Sequence, residues 1–182
     1  MQRSLIATIA VLAWTAGAAA ADDAGVVHRF GDVDVLGRTP HYVDVGIGVF
    51  DILKRVSTSR RSVAGEIELR IGEKMYGIGP AIGLMANTDG GVFGYVSAYS
   101  DLQYRDLVFT PFAGLGGYSE GNSSDLGGIF QFRLGIGAAY QFSNGHLLGI
   151  RVAHISNAGS HDYNPGEEEL YLTYAVPLKI DR

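Results

Sequence analysis

The chain has 182 residues, a formal net charge of −5 at pH 7, and 26 glycines but no cysteine. This length suits one domain, and the lack of cysteine excludes a disulfide framework, a thiolate metal site and a cysteine nucleophile. The acidic balance disfavours a nucleic-acid-binding protein, which needs a basic face. Hydrophobic residues make up 47% of the chain and are regularly spaced, which argues against a disordered low-complexity protein.

Residues 1–21 have the features of a secretory signal peptide. Arg3 precedes the apolar stretch 5–14, and four alanines follow at 18–21. A membrane anchor would need about 18 continuous apolar residues, and this stretch is shorter. We therefore expect cleavage after the alanines and export of residues 22–182 as a single domain.

From residue 41 onward, apolar and polar or small residues alternate with a period of two, which indicates strands rather than helices. In segment 130–142, for example, the even positions are aromatic or aliphatic, whereas the odd positions are Gly, Ala, Gln or Arg. Segments of about 10 residues match the length of tilted strands that cross a bilayer. The inward and outward faces of segment 92–102 are ambiguous. The eight predicted strands are 41–52, 61–72, 75–86, 92–102, 106–118, 127–142, 146–156 and 168–178.

The connections between these segments alternate in length and polarity. The short ones are 72–74, 101–105 and 143–145. The longer, more polar ones are 54–60, 87–91, 120–126 and 157–167. Asn144-Gly145 predicts a type I′ hairpin turn. Short turns at one end and longer loops at the other are typical of outer-membrane barrels, whose long loops face the outside of the cell.

We therefore predict an all-β, eight-stranded antiparallel transmembrane β-barrel. A soluble β-sandwich or a lipocalin-like barrel is the alternative, since each strand signal is weak. Residues 22–39 precede the first strand, and the sequence leaves open whether they form a periplasmic tail or a plug.

The two faces of the predicted strands differ in a way that sets their orientation. Eight strands enclose a narrow interior, which suits small residues and a few mutually paired charges. The face with large aliphatic and aromatic residues suits lipid. We expect the charges Glu66, Glu68, Arg70 and Arg133 to point inward and pair. Tyr76, Tyr140 and Tyr174 fit aromatic girdles at the membrane interfaces.

Three polar residues break this rule on the outward face. In the seventh segment, Arg151 sets the inward phase, so His154 and Ser156 point outward near the extracellular end. Glu168 has the outward phase in the eighth segment, whereas Glu167 and Glu169 would point inward. Polar residues are costly on a lipid-facing wall, so this trio indicates a functional site.

The residue types of this trio suit nucleophilic catalysis on an ester. Ser156 is a weak nucleophile alone, but the imidazole of His154 can accept its proton and return it to the leaving alcohol. Glu168 can hold the imidazole tautomer. Residues i and i+2 of a strand lie about 7 Å apart at Cα, within side-chain reach. Ordinary interfacial residues at a strand end are the alternative interpretation.

An oxyanion would also need hydrogen-bond donors. Asn157, the Gly159 amide and Asn164 follow the trio along the chain and are candidates for that role. An ester held at the outer-leaflet interface would be the substrate.

The run 154–159, His-Ile-Ser-Asn-Ala-Gly, followed by Asn-Pro-Gly-Glu-Glu at 164–168, resembles the lipid A 3-O-deacylase (PagL) family. The stretch 110–116 also looks like that family. The resemblance implies an outer-membrane barrel that hydrolyses the ester-linked 3-hydroxyacyl chain at position 3 of lipid A, with His154 as base and Ser156 as nucleophile. It implies Glu168 as the acidic member, with no cofactor and no metal.

The resemblance also implies partners: lipid A or lipopolysaccharide as substrate, and the lipids of the outer membrane as surroundings. Arg55, Arg60 and Arg61 lie in or beside the first long loop and could hold lipid A phosphates. His161-Asp162 offers too few ligands to indicate a metal site. The sequence does not fix the oligomeric state, and a homodimer is compatible with it.

Two other functions compete with deacylation. A structural or adhesive outer-membrane barrel would use its long loops and would not need the outward trio. An outer-membrane acyltransferase would add an acyl chain rather than remove one. An aqueous channel is disfavoured because eight strands leave little lumen.

Overall fold

The computed structural model describes residues 25–53 and 60–178, so the predicted signal peptide lies outside the described residues. No helix in these two ranges is long and apolar enough to cross a membrane. The strands of the described residues are β1 (Val26–Phe30), β2 (Val33–Leu36), β3 (His41–Phe50), β4 (Ser62–Arg70), β5 (Gly79–Asn87), β6 (Val92–Tyr99), β7 (Leu102–Tyr104), β8 (Leu107–Ser119), β9 (Phe130–Gln141), β10 (Leu147–Ser156) and β11 (Glu167–Leu178).

Eight of these strands close into an antiparallel barrel. The order is β3-β4-β5-β6-β8-β9-β10-β11, and β11 pairs back onto β3 from Leu170 to Leu178. Closure leaves no unpaired edge in the hydrocarbon. The predicted eight-stranded barrel is therefore confirmed, and the soluble alternatives are set aside because all eight barrel strands expose large hydrophobic side chains on the outer wall.

The predicted third strand begins too early. Residues 73–78 form a turn in which Met75 and Ile78 bridge, with Tyr76 and Gly77 at positive φ. β5 therefore starts only at Gly79. Tyr76 lies in this exposed turn and not on a strand, so the alternation of residues 75–78 was misleading.

A small hairpin lies at the short-turn end of the barrel. β1 and β2 pair with each other, Asp34 and Val35 of β2 pair with β7, and β7 pairs with the start of β8. Residues 25–36 thus extend the sheet instead of hanging as a free tail. The sequence pattern did not reveal β1, β2 and β7, because strands of three to five residues show too little alternation.

The turn between β9 and β10 differs from the predicted type I′ hairpin. The Gly145 amide donates to the Phe142 carbonyl at 2.8 Å, and the Phe142 amide donates to the His146 carbonyl at 2.9 Å. Gly145 has φ +82, whereas Asn144 does not have positive φ. This is a type I turn followed by a glycine bulge, the common three-residue alternative.

Large apolar residues point outward, as predicted. Leu134 is 65% exposed and Leu172 is 55% exposed, and both lie on the barrel wall. The interior is more aromatic than we expected. Phe93 and Tyr95 of β6 point inward, which resolves the ambiguous phase of that strand. Glycine on the adjacent strand makes room for them: a Cβ at Gly83 would lie 2.4 Å from the Tyr95 hydroxyl.

Buried ion pairs fill the rest of the interior, as predicted. Arg133 donates to Glu169 at 2.8 Å and to Glu66 at 2.7 Å. Arg151 donates to Glu66 and to Asp44, each at 2.6 Å. Each guanidinium thus bridges carboxylates of different strands, which neutralises the charge and cross-links the wall.

Candidate active site on the outer wall

His154 and Glu168 form a pair across β10 and β11. The register sets them directly opposite each other, and both point outward near the long-loop end. His154 Nδ1 lies 3.2 Å from Glu168 Oε1. The His154 side chain is 43% exposed and that of Glu168 is 19% exposed. A carboxylate on Nδ1 fixes the tautomer that leaves Nε2 free to accept a proton.

The neighbours of Glu168 have the opposite orientation. Glu167 and Glu169 are buried in the barrel, at 0% and 1% exposure. Glu169 is held by Arg133 and by the Tyr171 hydroxyl at 2.8 Å. Only Glu168 of the three is therefore placed to contact the imidazole, as the strand phase predicts.

Ser156 is the last residue of β10, on the same face as His154 and half-buried. Continuing the register by one residue beyond the Ile155–Glu167 pair sets Ser156 opposite Gly166. Among the described residues, the imidazole hydrogen-bonds to Glu168 and not to Ser156. Catalytic hydrogen bonds are often long without substrate and shorten only when it binds.

The residues expected to bind an oxyanion lie in the loop 157–166. Asn157 is fully buried, and its Nδ2 donates to the carbonyls of Leu126 at 2.9 Å and Tyr163 at 2.7 Å. Its Oδ1 accepts the Gly159 amide at 2.9 Å. These donors are therefore engaged in holding the loop. Asn164 is exposed, and its Oδ1 accepts the Asn157 amide at 3.1 Å.

A second loop, which was not expected from the sequence, supports the site. Residues 120–129 pack against 157–166 through the Asn157–Leu126 hydrogen bond. A Cβ at Gly127 would lie 1.7 Å from the Tyr163 carbonyl oxygen, and one at Gly128 would lie 2.3 Å from His161 Nε2. The Gly127-Gly128 pair is the sequence signal of this close approach.

The rim beside Glu168 is basic. The Ile52 amide donates to the Glu168 carbonyl at 3.0 Å, and the Arg61 guanidinium donates to the Ile52 carbonyl. The Arg60 amide donates to Ser124 Oγ at 2.8 Å, and its side chain is exposed. Arg55 lies outside the described residues.

His161 and Asp162 are exposed in the loop 157–166. In the two described ranges, no group of three or more His, Asp or Glu side chains is arranged to hold a metal ion.

Fold and site together define a class: a membrane β-barrel that carries a histidine–carboxylate pair on its outer wall. A model of the lipid A 3-O-deacylase (PagL) family matches residues 55–177, which is more than half of the chain. The chain belongs to this family. Family membership and the apolar outer wall place the barrel in the outer membrane.

Individual relatives are more distant. The lipid A deacylase PagL of Pseudomonas aeruginosa is 41% identical over 54 residues, which is 30% of this chain and 31% of that protein. The chain thus matches about a third of the length of this curated relative. A crystal structure of the outer membrane enzyme PagL superposes with a TM-score of 0.54 at 22% identity, covering 75% of this chain and 99% of that one. This likeness supports the barrel fold.

A designed transmembrane β-barrel superposes with a TM-score of 0.49 at 15% identity, covering 79% of this chain and 100% of the design. It is too distant to support any argument about the site.

Proposed function

We propose that this protein is a serine esterase that removes the ester-linked 3-hydroxyacyl chain at position 3 of lipid A. The observation that carries the proposal is the 3.2 Å contact between His154 Nδ1 and Glu168 Oε1 on the outer wall, with Ser156 on the same face. An acid–base pair there would meet membrane lipids and not a solute in the lumen. Membership of the lipid A 3-O-deacylase family supports lipid A as the substrate.

The proposed reaction has two steps. Ser156 Oγ attacks the ester carbonyl carbon while His154 Nε2 takes its proton, and the tetrahedral intermediate collapses to an acyl-serine. The imidazolium returns the proton to the oxygen of the leaving sugar alcohol. Water, deprotonated by His154, then attacks the acyl-serine carbonyl carbon, and the bond from that carbon to Ser156 Oγ breaks. The imidazolium returns its proton to Ser156 Oγ, and the free 3-hydroxy fatty acid leaves. Glu168 stabilises the imidazolium in both steps.

The register of the wall gives the substrate one favoured direction. The residues in line with His154 across the neighbouring strands are Leu134, Ala113, Ala98 and Pro80. His154 is near the extracellular end of β10, whereas Ala98 and Pro80 are each one residue from the short-turn ends of β6 and β5. From β10 to β5 this row therefore runs from the extracellular end of the wall toward the short-turn end. Neighbouring strands along the row are about 4.8 Å apart.

A shallow depression lies along the lower part of that row. It has a volume of about 550 Å³, and its lining includes Pro80, Ile82, Val96, Ala98, Ala113 and Leu115. Ala98 and Ala113 have small side chains, so an acyl chain that extends from Ser156 can lie flat against the wall here. We assign this path to the 3-hydroxyacyl chain.

In the opposite direction the row rises to the polar rim. Glu168 is one residue from the end of β11, and beyond it lie Ile52 and the Arg61 guanidinium. We assign this side to the phosphorylated sugar of lipid A, because a guanidinium binds phosphate oxygens well. We expect Arg60 to bind phosphate as well, since its side chain is exposed at this rim.

We assign the exposed Asn164 amide to the oxyanion, which needs a donor close to Ser156. In this proposal Asn157 and Gly159 contribute indirectly, because their hydrogen bonds hold the loop that carries Asn164.

The test is the mass spectrum of lipid A from cells that express wild type or Ser156→Ala. Wild type should remove one 3-hydroxyacyl chain, and Ser156→Ala should lower the rate by about 10⁴-fold or more. Ser119→Ala is the matched control, because Ser119 ends β8 at the same end of the barrel and is exposed. Unchanged lipid A with folded wild type would favour a structural or adhesive barrel, and a gain in mass would favour an acyltransferase.

A further inference from the structure

Gly166 lies against the catalytic imidazole. It immediately precedes β11, it is buried, and its φ is +64. A Cβ at this position would lie 2.7 Å from Cε1 and 3.2 Å from Nε2 of His154. A separation of 2.7 Å is shorter than side-chain Cβ contacts in proteins allow, so a side chain here would have to displace its neighbour.

Two edges of the imidazole thus lie against the same short segment, residues 166–168. Glu168 Oε1 lies 3.2 Å from Nδ1, and the Gly166 backbone faces the edge formed by Cε1 and Nε2. Because the register sets Ser156 opposite Gly166, this edge of the ring lies at the level of the nucleophile. The ring therefore extends from the carboxylate toward the serine.

We propose that Gly166 is a positioning residue, which directs His154 Nε2 toward Ser156 by letting the backbone pass against the ring. The inference rests on the proposed function, in which the ring is the general base. Gly166 acts through the imidazole and needs no contact with substrate.

A methyl group at position 166 should move the ring and not the backbone. The third atom near the added Cβ is the Ile155 carbonyl oxygen, at 3.5 Å, which is an ordinary van der Waals distance. The imidazole is the far end of a flexible side chain and can rotate away. We therefore expect Gly166→Ala to preserve the fold and to disturb the alignment of His154 with Glu168 and Ser156.

Positive φ strains any alanine, so the control must carry the same strain. Gly90 has φ +86 in the loop between β5 and β6, and the nearest atom to an added Cβ there is 3.9 Å away. Gly90→Ala therefore reproduces the backbone strain at the same end of the barrel without touching the imidazole.

The experiment compares both variants with wild type in detergent micelles, by deacylation kinetics on purified lipid A and by ¹⁵N NMR of the histidine ring. The His154 signals are assigned by their loss in His154→Ala. We expect Gly166→Ala to lower kcat by about 10²-fold, with KM within about threefold of wild type, because small misplacements of catalytic groups cost rates of this order. The His154 ring nitrogen signals should also shift, whereas Gly90→Ala should change neither.

Wild-type kcat in folded Gly166→Ala, or unshifted His154 ring signals, would overturn the proposal. The ring signals need no substrate, so they test the positioning even if the protein proves not to deacylate lipid A.

A second measurement applies if Gly166→Ala folds poorly. The change in unfolding midpoint caused by Gly166→Ala is measured in wild type and in the His154→Ala background. We expect a smaller loss in the background without the ring, because the clash is then absent. Equal losses in both backgrounds would overturn the proposal, since the methyl would then act on the backbone alone.

Discussion

Glu168 and Glu169 are consecutive in the chain and lie on opposite sides of the barrel wall. Glu169 is buried, with Arg133 at 2.8 Å and the Tyr171 hydroxyl at 2.8 Å. Glu168 faces outward against His154, and its side chain is 19% exposed. The inner carboxylate belongs to a network in which each acid has a permanent cation, whereas the outer one contacts an imidazole.

The contrast shows how one residue type serves two purposes. A carboxylate bound by arginine has its charge neutralised, so it cross-links strands and is unavailable for chemistry. Imidazole differs from guanidinium because it gains and loses a proton near neutral pH. The inward charges of this barrel therefore have a structural role, and we expect the outward pair to carry the reaction.

The largest expected effect is a loss of activity on neutralising Glu168, which neutralising Glu169 should not cause. Glu168→Gln keeps the shape and removes the charge that holds the imidazole, so kcat/KM for lipid A should fall by about 10³–10⁴-fold. The free energy of unfolding should change little, because the side chain is partly exposed. Initial rates in micelles and chemical denaturation of the same preparation give both values.

Glu169→Gln is the matched control for this prediction. It makes the same change one residue along the chain, but in the interior. The kcat/KM of the folded variant should stay within about threefold of wild type. Equal losses of activity in both variants would contradict the proposed division between the two faces.

The next effect concerns the stability of the interior. Arg133→Leu removes the cation between Glu169 and Glu66, so Glu169 loses its arginine while Glu66 keeps Arg151 at 2.6 Å. Breaking a buried ion pair from one side costs about 3–5 kcal/mol, and we expect a loss of that size in the free energy of unfolding. Chemical unfolding followed by circular dichroism measures it.

Arg29→Leu is the comparison for the interior variant. Arg29 pairs with Asp34 in the exposed β1–β2 hairpin, where its side chain is 59% exposed. Exposed pairs are screened by water and salt, so this variant should unfold almost as wild type does. Equal destabilisation by both substitutions would mean that the interior network contributes no more than a surface pair.

The smallest expected effect concerns the apolar wall below the site. Ala113→Phe should fill the depression under the acyl path and lower kcat/KM about 10-fold for substrates with long acyl chains. Esters with short chains do not reach β8 and should react as before. A chain-length series of 3-hydroxyacyl esters measures the ratio.

Ala86→Phe makes the same substitution on β5, on the outer wall but away from this row. It should leave the chain-length dependence unchanged. If both variants behave alike, the acyl chain takes another path.

Much of the barrel follows from the sequence because strand alternation is a local property. Residue i and residue i+2 share a face whatever lies elsewhere in the chain, so the alternation gave strand positions and the outward phase of His154 and Glu168. Where the pattern was short or mixed, it failed. β1, β2 and β7 were missed, and Tyr76 was placed on a strand although it lies in a turn.

The aromatic side chains of β6 show what the pattern cannot provide. Their alternation fits either face. Whether these aromatic side chains point inward depends on the space available inside the barrel. Glycines on neighbouring strands provide that space, as Gly83 does beside Tyr95. Such complementarity joins positions on different strands, and one sequence does not reveal it.

The sequence alone predicted the strands and placed His154, Ser156 and Glu168 on one face, because both follow from a two-residue period. The folded structure was needed to show that Nδ1 of the ring meets Glu168, that Asn157 holds a loop, and that Gly166 lies against the imidazole. These contacts depend on interstrand register and loop packing, which bring together residues whose separation along the chain carries no periodic signal.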